Sequence, residues 1–308
     1  MHNEITKALY EMFPEDEKND FYHAYIFLKY PDHFVYHLSQ AGGLPAERPQ
    51  TKLDDDVDAM IQAAVWRISE TAATHDTSTY HLKVVKLRDA IQLVTQKADV
   101  RIKTPDRVMH YKQARDIIIN NPHSIAVGEC ACRAISKNPC LPPPMEVCLF
   151  VGDPYTSFIA EENPKFRKIS QEEAVHILQT SHEKGFLHTA EFKKELGRRL
   201  IAICNCCSCC CVGVQMWNIL EGQVPFIAPS GYVSRIGDNC SGCGICLDIC
   251  NFNAIRMDED SNKAVVDFNK CMGCGICEDK CPDGAITLQR ESSKGDPLDL
   301  EELLRHQK

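Results

Sequence analysis

The 308 residues exceed what one small core requires and suit two or three compact units. A hydrophobic share of 44% with 25% charged residues excludes a wholly disordered or fibrous chain, and 34 Lys+Arg against 43 Asp+Glu leave a net charge of −9, poorly suited to nonspecific nucleic-acid binding. The start, Met1-His2-Asn3-Glu4, has no basic run leading into an apolar stretch, and no segment is apolar for long enough to span a bilayer, so a cytoplasmic setting is expected. In a reducing compartment, eighteen cysteines point to metal or redox chemistry in preference to disulfides.

No cysteine precedes Cys130, and residues 1–104 are predicted to form a helical domain. Val57, Met60, Ile61, Ala64, Val65 and Ile68 recur at helical spacing, as do Leu82, Val85, Leu87, Ile91 and Val94. Gly42-Gly43 with Pro45 and Pro49 interrupts this region, and the acidic run Asp54 to Asp58 suits the first turn of the next helix. The stretch His37 to Gly43 reads as the remnant of a winged helix, but no basic recognition helix follows it, so DNA binding is not expected.

Residues 105–232 are predicted to be a cysteine-rich α/β domain. Cys130, Cys132, Cys140 and Cys148 follow the spacing C-x-C-x7-C-x7-C, four thiols that suffice for one zinc ion or one iron-sulfur cluster. Ser170-Gln171-Glu172-Glu173 is a capping box, which predicts a helix from about 170 to 184 that stops at Gly185. Leu200 to Ile203 form a short apolar strand leading into Cys204, Cys206, Cys207, Cys209, Cys210 and Cys211. Six thiols in eight residues cannot converge on one centre, so the run is expected to serve two directions, partly alongside Cys130 to Cys148. Up to two further iron-sulfur clusters are expected here; zinc, a metal trap and an exchanging dithiol remain alternatives.

Residues 233–290 contain an internal repeat. Cys240 to Met257 and Cys271 to Leu288, 31 residues apart, are identical at ten of eighteen positions. Each half reads C-x2-C-x2-C-x3-C: Cys240, Cys243, Cys246 and Cys250, then Cys271, Cys274, Cys277 and Cys281 followed by Pro282. A tight loop presents three thiolates to three irons and the fourth comes from the other half. Two [4Fe-4S] clusters are therefore expected, one on Cys240, Cys243, Cys246 and Cys281, the other on Cys271, Cys274, Cys277 and Cys250. Gly242, Gly244, Gly273 and Gly275 leave room for a cluster and free amides for its sulfurs. Structural zinc is disfavoured because its sites normally join two separated C-x2-C knuckles.

This region resembles the two-cluster bacterial ferredoxins, which implies a pseudo-twofold (βαβ)2 module passing single electrons. Asn251 departs from that family, which often has proline there. The wider chain, about residues 105 to 290, resembles a group of bacterial and archaeal 4Fe-4S dicluster proteins. The matching segments are Ser124 to Arg133, Cys140, Glu146 to Leu149, Gly185 to His188 and Ile203 to Cys211. The resemblance implies an iron-sulfur electron carrier, not a defined reaction.

Most histidines, including His23, His33, His37, His75, His81, His110 and His123, show no metal spacing. His188 is expected to cap a helix, bond a cluster sulfur or relay a proton, with a structural role favoured; Arg133 is expected to pair with a carboxylate or to compensate cluster charge. No dinucleotide fingerprint, Walker loop or nucleophile elbow occurs, so any flavin or nicotinamide must sit on a partner. Residues 291–308 read as a polar tail, either solvated or a short docking helix.

The expected fold is α+β, with a helical front, a cysteine-rich middle and a ferredoxin-like module. The expected function is electron relay between that module and the middle clusters, as subunit or partner of a larger oxidoreductase or flavoprotein. The alternative is a ferredoxin-fed reductase with an open cluster or reactive dithiol at Cys204 to Cys211. The sequence favours a carrier over a stand-alone enzyme and leaves a homo-oligomer open.

Overall fold

The computed structural model describes residues 4–11, 13, 15, 18–73, 80–103, 108, 116–143, 145–193, 196, 199–223 and 226–306. His75 and His110 lie outside them. Four helices open the chain: α1 (Glu4–Glu11), α2 (Lys18–Lys29), α3 (Pro31–Ala41) and α4 (Asp55–Ala73). Pro31 starts α3 at a position that needs no intrahelical N–H, and Gly42-Gly43 ends it. Asp55, Asp56 and Asp58 occupy the first turn of α4 and complement its dipole; Asp58 also accepts from Arg48 at 2.8 Å and lies 3.0 Å from His37 Nε2, tying α3 to α4.

The centre is an eight-stranded sheet of β1 (Tyr80–Val85), β2 (Val100–Lys103), β3 (Asp116–Glu129), β4 (Glu146–Asp153), β5 (Phe166–Ile169), β6 (Leu187–Lys193), β7 (Arg199–Cys206) and β8 (Ile227–Ala228). The order is β2-β3-β4-β7-β6-β1-β8, with β5 laid against β3. Side-chain alternation feeds both faces. Ile125, Val127, Leu149, Val151, Leu200 and Ile203 pack with α5 (Leu87–Val94) and α8 (Gln171–Glu183). Ala126, Phe150, Ile201 and Ala202 pack with residues of α1 to α4 and of α7 (Tyr155–Glu162) on the other face. Ser170 caps α8 by accepting from the Glu173 N–H at 3.2 Å.

The helical reading of 80–94 is corrected. Leu82 and Val85 lie on β1, paired with β6, and only Leu87, Ile91 and Val94 are helical. Leu82 to Val85 are all buried, and a strand covered on both faces loses the alternation that would separate it from a helix. Because β1 lies between β6 and β8, the sheet runs across position 104, and the helical front covers one of its faces. The strand that follows α4 among the described residues therefore joins this sheet.

Three shorter helices complete the middle and the end of the chain: α6 (Ala131–Ala134), α9 (Val212–Ile219) and α12 (Leu300–His306). The tail is not simply solvated. Leu298, Leu300 and Leu303 are buried in the main core, and the Leu300 N–H donates to Gln92 Oε1 at 3.0 Å.

Between β8 and the tail stands a module of β9 (Tyr232–Ile236), α10 (Ile245–Asp248), β10 (Ile255–Met257), β11 (Ala264–Val266), α11 (Ile276–Asp279) and β12 (Ile286–Arg290). β9 pairs with β12 and β10 with β11, both antiparallel, so the 31-residue repeat is a repeat of βαβ units.

Lys83 on β1 is fully buried and donates to the carbonyls of Pro229 and Asp296, which joins the sheet to both ends of the module. Burial pulls its pKa from 10.5 to about 7, against the attraction of Asp296. Between these values the unfolded chain binds more protons than the native one, so stability rises with pH across that window. Denaturant midpoints measured from pH 7 to about 10 are expected to climb more steeply in the wild type than in Lys83→Met; parallel curves would refute a neutralised Lys83.

Candidate metal centres

Gly242 and Gly273 hold equivalent places in the repeat with φ of 76° and 66°. A Cβ would stand 2.2 Å from the Asn262 carbonyl oxygen at the first and 2.3 Å from that of Tyr232 at the second, so both loops require glycine. The sulfurs group across the repeat. Cys246 feels the thiol groups of Cys240, Cys243 and Cys281, and Cys274 those of Cys277, Cys250 and Cys271. Backbone amides of Ala254 and Ala285, again 31 residues apart, donate to Cys250 and Cys281 at 3.3 Å each. Residues 239–285 match the 4Fe-4S dicluster domain family. No curated protein matches the chain. The thiolate donors, the glycine cradles and the N–H to sulfur bonds all fit 4Fe-4S binding in this dicluster module.

The two halves of the module are not equivalent. The Ser234 hydroxyl lies 3.2 Å from Cys277 Sγ, and the Ser234 amide donates to Cys271 at 3.5 Å. The residue 31 positions later is Val265, which has no hydroxyl. Carrying the repeat upstream of Cys240 would have exposed this difference in the sequence.

The ten remaining cysteines separate into two groups. Cys130, Cys132, Cys148, Cys204, Cys206 and Cys211 line a cavity of about 90 Å³ beneath Phe34, Val35 and Leu38 of α3. Cys140, Cys207, Cys209 and Cys210 gather on the other side, all four sulfurs within 4.8 Å of one another. Thus the run from Cys204 to Cys211 does face two ways, while Cys140 parts from Cys130, Cys132 and Cys148. The chain turns after β7, closed by the Cys211 N–H donating to the Cys207 carbonyl at 3.1 Å, and Cys211 returns to the cavity as the cap residue of α9.

Inside the cavity the Cys206 and Cys211 sulfurs lie 3.4 Å apart. Hydrogen bonding with Cys132 and Cys206 holds Cys211 well below the ordinary thiol range, and a bond with Cys132, with Arg133 nearby, brings Cys130 down to about 6. Glu191, 3.7 Å from Cys204 Sγ, is pushed up to about 7 by burial, against the pull of Lys193. Nothing in the sequence around Glu191 announced it, since a carboxylate on a short strand usually faces water.

Arg133 does not take the expected carboxylate among its hydrogen-bond partners. Its guanidinium donates to Cys130, Cys140 and Cys207 at 3.3 Å each and to the Asn205 carbonyl at 2.9 Å, with Phe186 stacked 4.3 Å away. Burial opposes its charge, but the neighbouring sulfurs of Cys130, Cys207 and Cys140 outweigh it and hold the group's pKa above the ordinary arginine value. His188 holds no sulfur among its hydrogen bonds. Its Nδ1 is 2.7 Å from Asn205 Oδ1 and its Nε2 is 3.3 Å from His182, which reaches Asp279 on α11 at 2.7 Å. Burial drives His188 down to about 3, so it is neutral.

Asn251, the departure from the ferredoxin pattern, is a bracket. Its side chain accepts from the Ser208 N–H at 2.9 Å and donates to the Gly185 carbonyl at 3.0 Å, while its own carbonyl accepts from Asn218 at 2.9 Å. Asn251→Ala leaves two polar backbone groups without these partners, and Asn251→Pro, which restores the family residue, does the same. Both variants are expected to lose about 1–3 kcal/mol in denaturant unfolding of the metal-loaded protein; unchanged midpoints would show that the bracket carries no stability.

Proposed function

We propose that this chain is an iron-sulfur electron-transfer protein whose dicluster module exchanges electrons with one further cluster held by cysteines of the cavity. One observation carries the reading: Phe252, Met272, Cys274 and Ile276 of the module share a single apolar cluster with Cys132, Cys204, Cys206 and Cys211. Bound at these thiolates, iron-sulfur clusters supply one-electron exchange. The ligand sets are Cys240, Cys243, Cys246 and Cys281, and Cys271, Cys274, Cys277 and Cys250. The residues between module and cavity exclude water, which lowers the local dielectric and fixes the distance across which the two sets face each other.

The asymmetry of the module gives the relay a direction. Cys243 is exposed, whereas Cys271 and Cys277 are buried. A redox partner, whether a flavoprotein or a larger oxidoreductase, meets the first set at its open edge. The Ser234 hydroxyl and the ammonium of Lys294, which feels Cys271, both favour added negative charge at the second set, the one that adjoins the cavity. Among the described residues no helix is long and apolar enough to cross a membrane, and thiols reserved for metal suit a reducing cytoplasm.

Iron analysis of anaerobically purified protein is expected to give about twelve irons per chain, and Cys206→Ala combined with Cys211→Ala about eight. A wild-type value of about eight would remove the cavity cluster and with it the relay. In an EPR-monitored redox titration, Ser234→Ala is expected to lower the potential of one module cluster by about 40 mV, the equivalent of one lost hydrogen bond of about 1 kcal/mol, and to leave the other unchanged. Equal behaviour of the two clusters would overturn the assigned direction.

A further inference from the structure

The cavity contains a single sulfur pair as close as 3.4 Å, but among the described residues only Cys140, Cys207, Cys209 and Cys210 form a group of three or more thiols that all lie within 4.8 Å of one another. The sulfur separations in this tetrad are 3.5 Å for Cys140 to Cys207, 3.6 Å for Cys209 to Cys210 and 3.8 Å for Cys140 to Cys210. Four thiolates around one tetrahedral zinc ion, with Zn–S bonds of about 2.3 Å, stand about 3.8 Å apart. In a cubane each thiolate binds a different iron, so the sulfurs spread over the whole cluster. The chain supplies its own reference: among the described residues the cysteines of the dicluster module form no group this tight, and neither do those of the cavity.

We infer that Cys140, Cys207, Cys209 and Cys210 hold a single zinc ion. Four sulfur ligands close the tetrahedron and leave no open position, which is the arrangement of a structural site and not of a catalytic one. Four thiolates on a divalent ion carry a formal charge of about −2. The Arg133 guanidinium answers it, donating to Cys140 and to Cys207 at 3.3 Å each.

The position explains what the ion does. Cys140 lies on the connection between α6 and β4, and the other three lie on the turn between β7 and α9. These two connections are flanked by cavity cysteines, Cys132 and Cys148 on the first and Cys206 and Cys211 on the second. Joining them at one ion fixes the cavity from outside without occupying it. Ser208, in the middle of the turn, is the residue that Asn251 grips, so the ion also braces the seat of the dicluster module. This assignment stands whether or not the cavity holds a cluster.

The test uses the full chain purified without oxygen. Zinc K-edge absorption spectroscopy of the wild type is expected to show four sulfur neighbours at about 2.3 Å, with about one zinc per chain by elemental analysis. Cys209→Ala changes an exposed ligand and is expected to lose that zinc while iron per chain and the visible iron-sulfur spectrum stay as in the wild type. The inference is overturned by a wild type without zinc, by oxygen or nitrogen ligands at the zinc, by zinc that Cys209→Ala retains, or by a loss of iron in that variant, about four for a cluster or one for a mononuclear iron site. The absorption measurement needs no variant, so it decides the matter even if Cys209→Ala fails to fold.

Discussion

A single buried guanidinium stands between the two groups of thiols in the middle of this protein. Thiolates taken out of water repel one another and need a fixed counter-charge, and Arg133 supplies one that cannot be lost by deprotonation. Its planar fork reaches Cys130 of the cavity on one side and Cys140 and Cys207 of the tetrad on the other, and it anchors to the backbone at Asn205. A lysine would offer one point charge to the same four acceptors. The turn from Cys204 to Cys211 can therefore divide its thiols between two centres without leaving either uncompensated.

The large sheet places everything else. β7 brings Cys204 and Cys206 to the cavity, β4 brings Cys148, and α3 closes the space from the helical front. The helical front is a cover on the sheet, not an appendage, and its aromatic residues Phe27 and Phe34 receive the buried ammonium of Lys193 at 3.5 and 3.8 Å. The module is held to this frame at several separate points, among them Asn251 on the cysteine turn, His182 on Asp279, and Lys83 on the Pro229 and Asp296 carbonyls. Such multiple attachment keeps the module at a fixed distance from the cavity, as the proposed electron exchange between them requires.

Local signals in the sequence were reliable where the physics is local. The capping box at Ser170, the break at Gly42-Gly43, the acidic first turn of α4 and the apolar strand before Cys204 all reappear in the structure, because each depends on bonds within a few residues. The strand at Tyr80–Val85 was misread as helix because its burial comes from β6 and β8, more than a hundred residues away. The tail was underrated for the same reason: Leu298, Leu300 and Leu303 look isolated among acidic residues until α5 supplies their partners.

By itself the sequence determined the chemistry of the module, since a C-x2-C-x2-C-x3-C repeat leaves its thiolates little choice of partner, and it determined that the run of six cysteines must face two ways. Only the tertiary structure decided which thiol faces which centre. Cys140 is eight residues from both Cys132 and Cys148, yet it joins neither: α6 and β4 hold those two at the cavity, while Cys140, on the connection between them, meets Cys207, Cys209 and Cys210 of the turn after β7. Asn251, Arg133 and Ser234 gained their roles in the same way. Spacing along the chain fixes which side chains can share a metal ion, but only long-range packing fixes which of them meet.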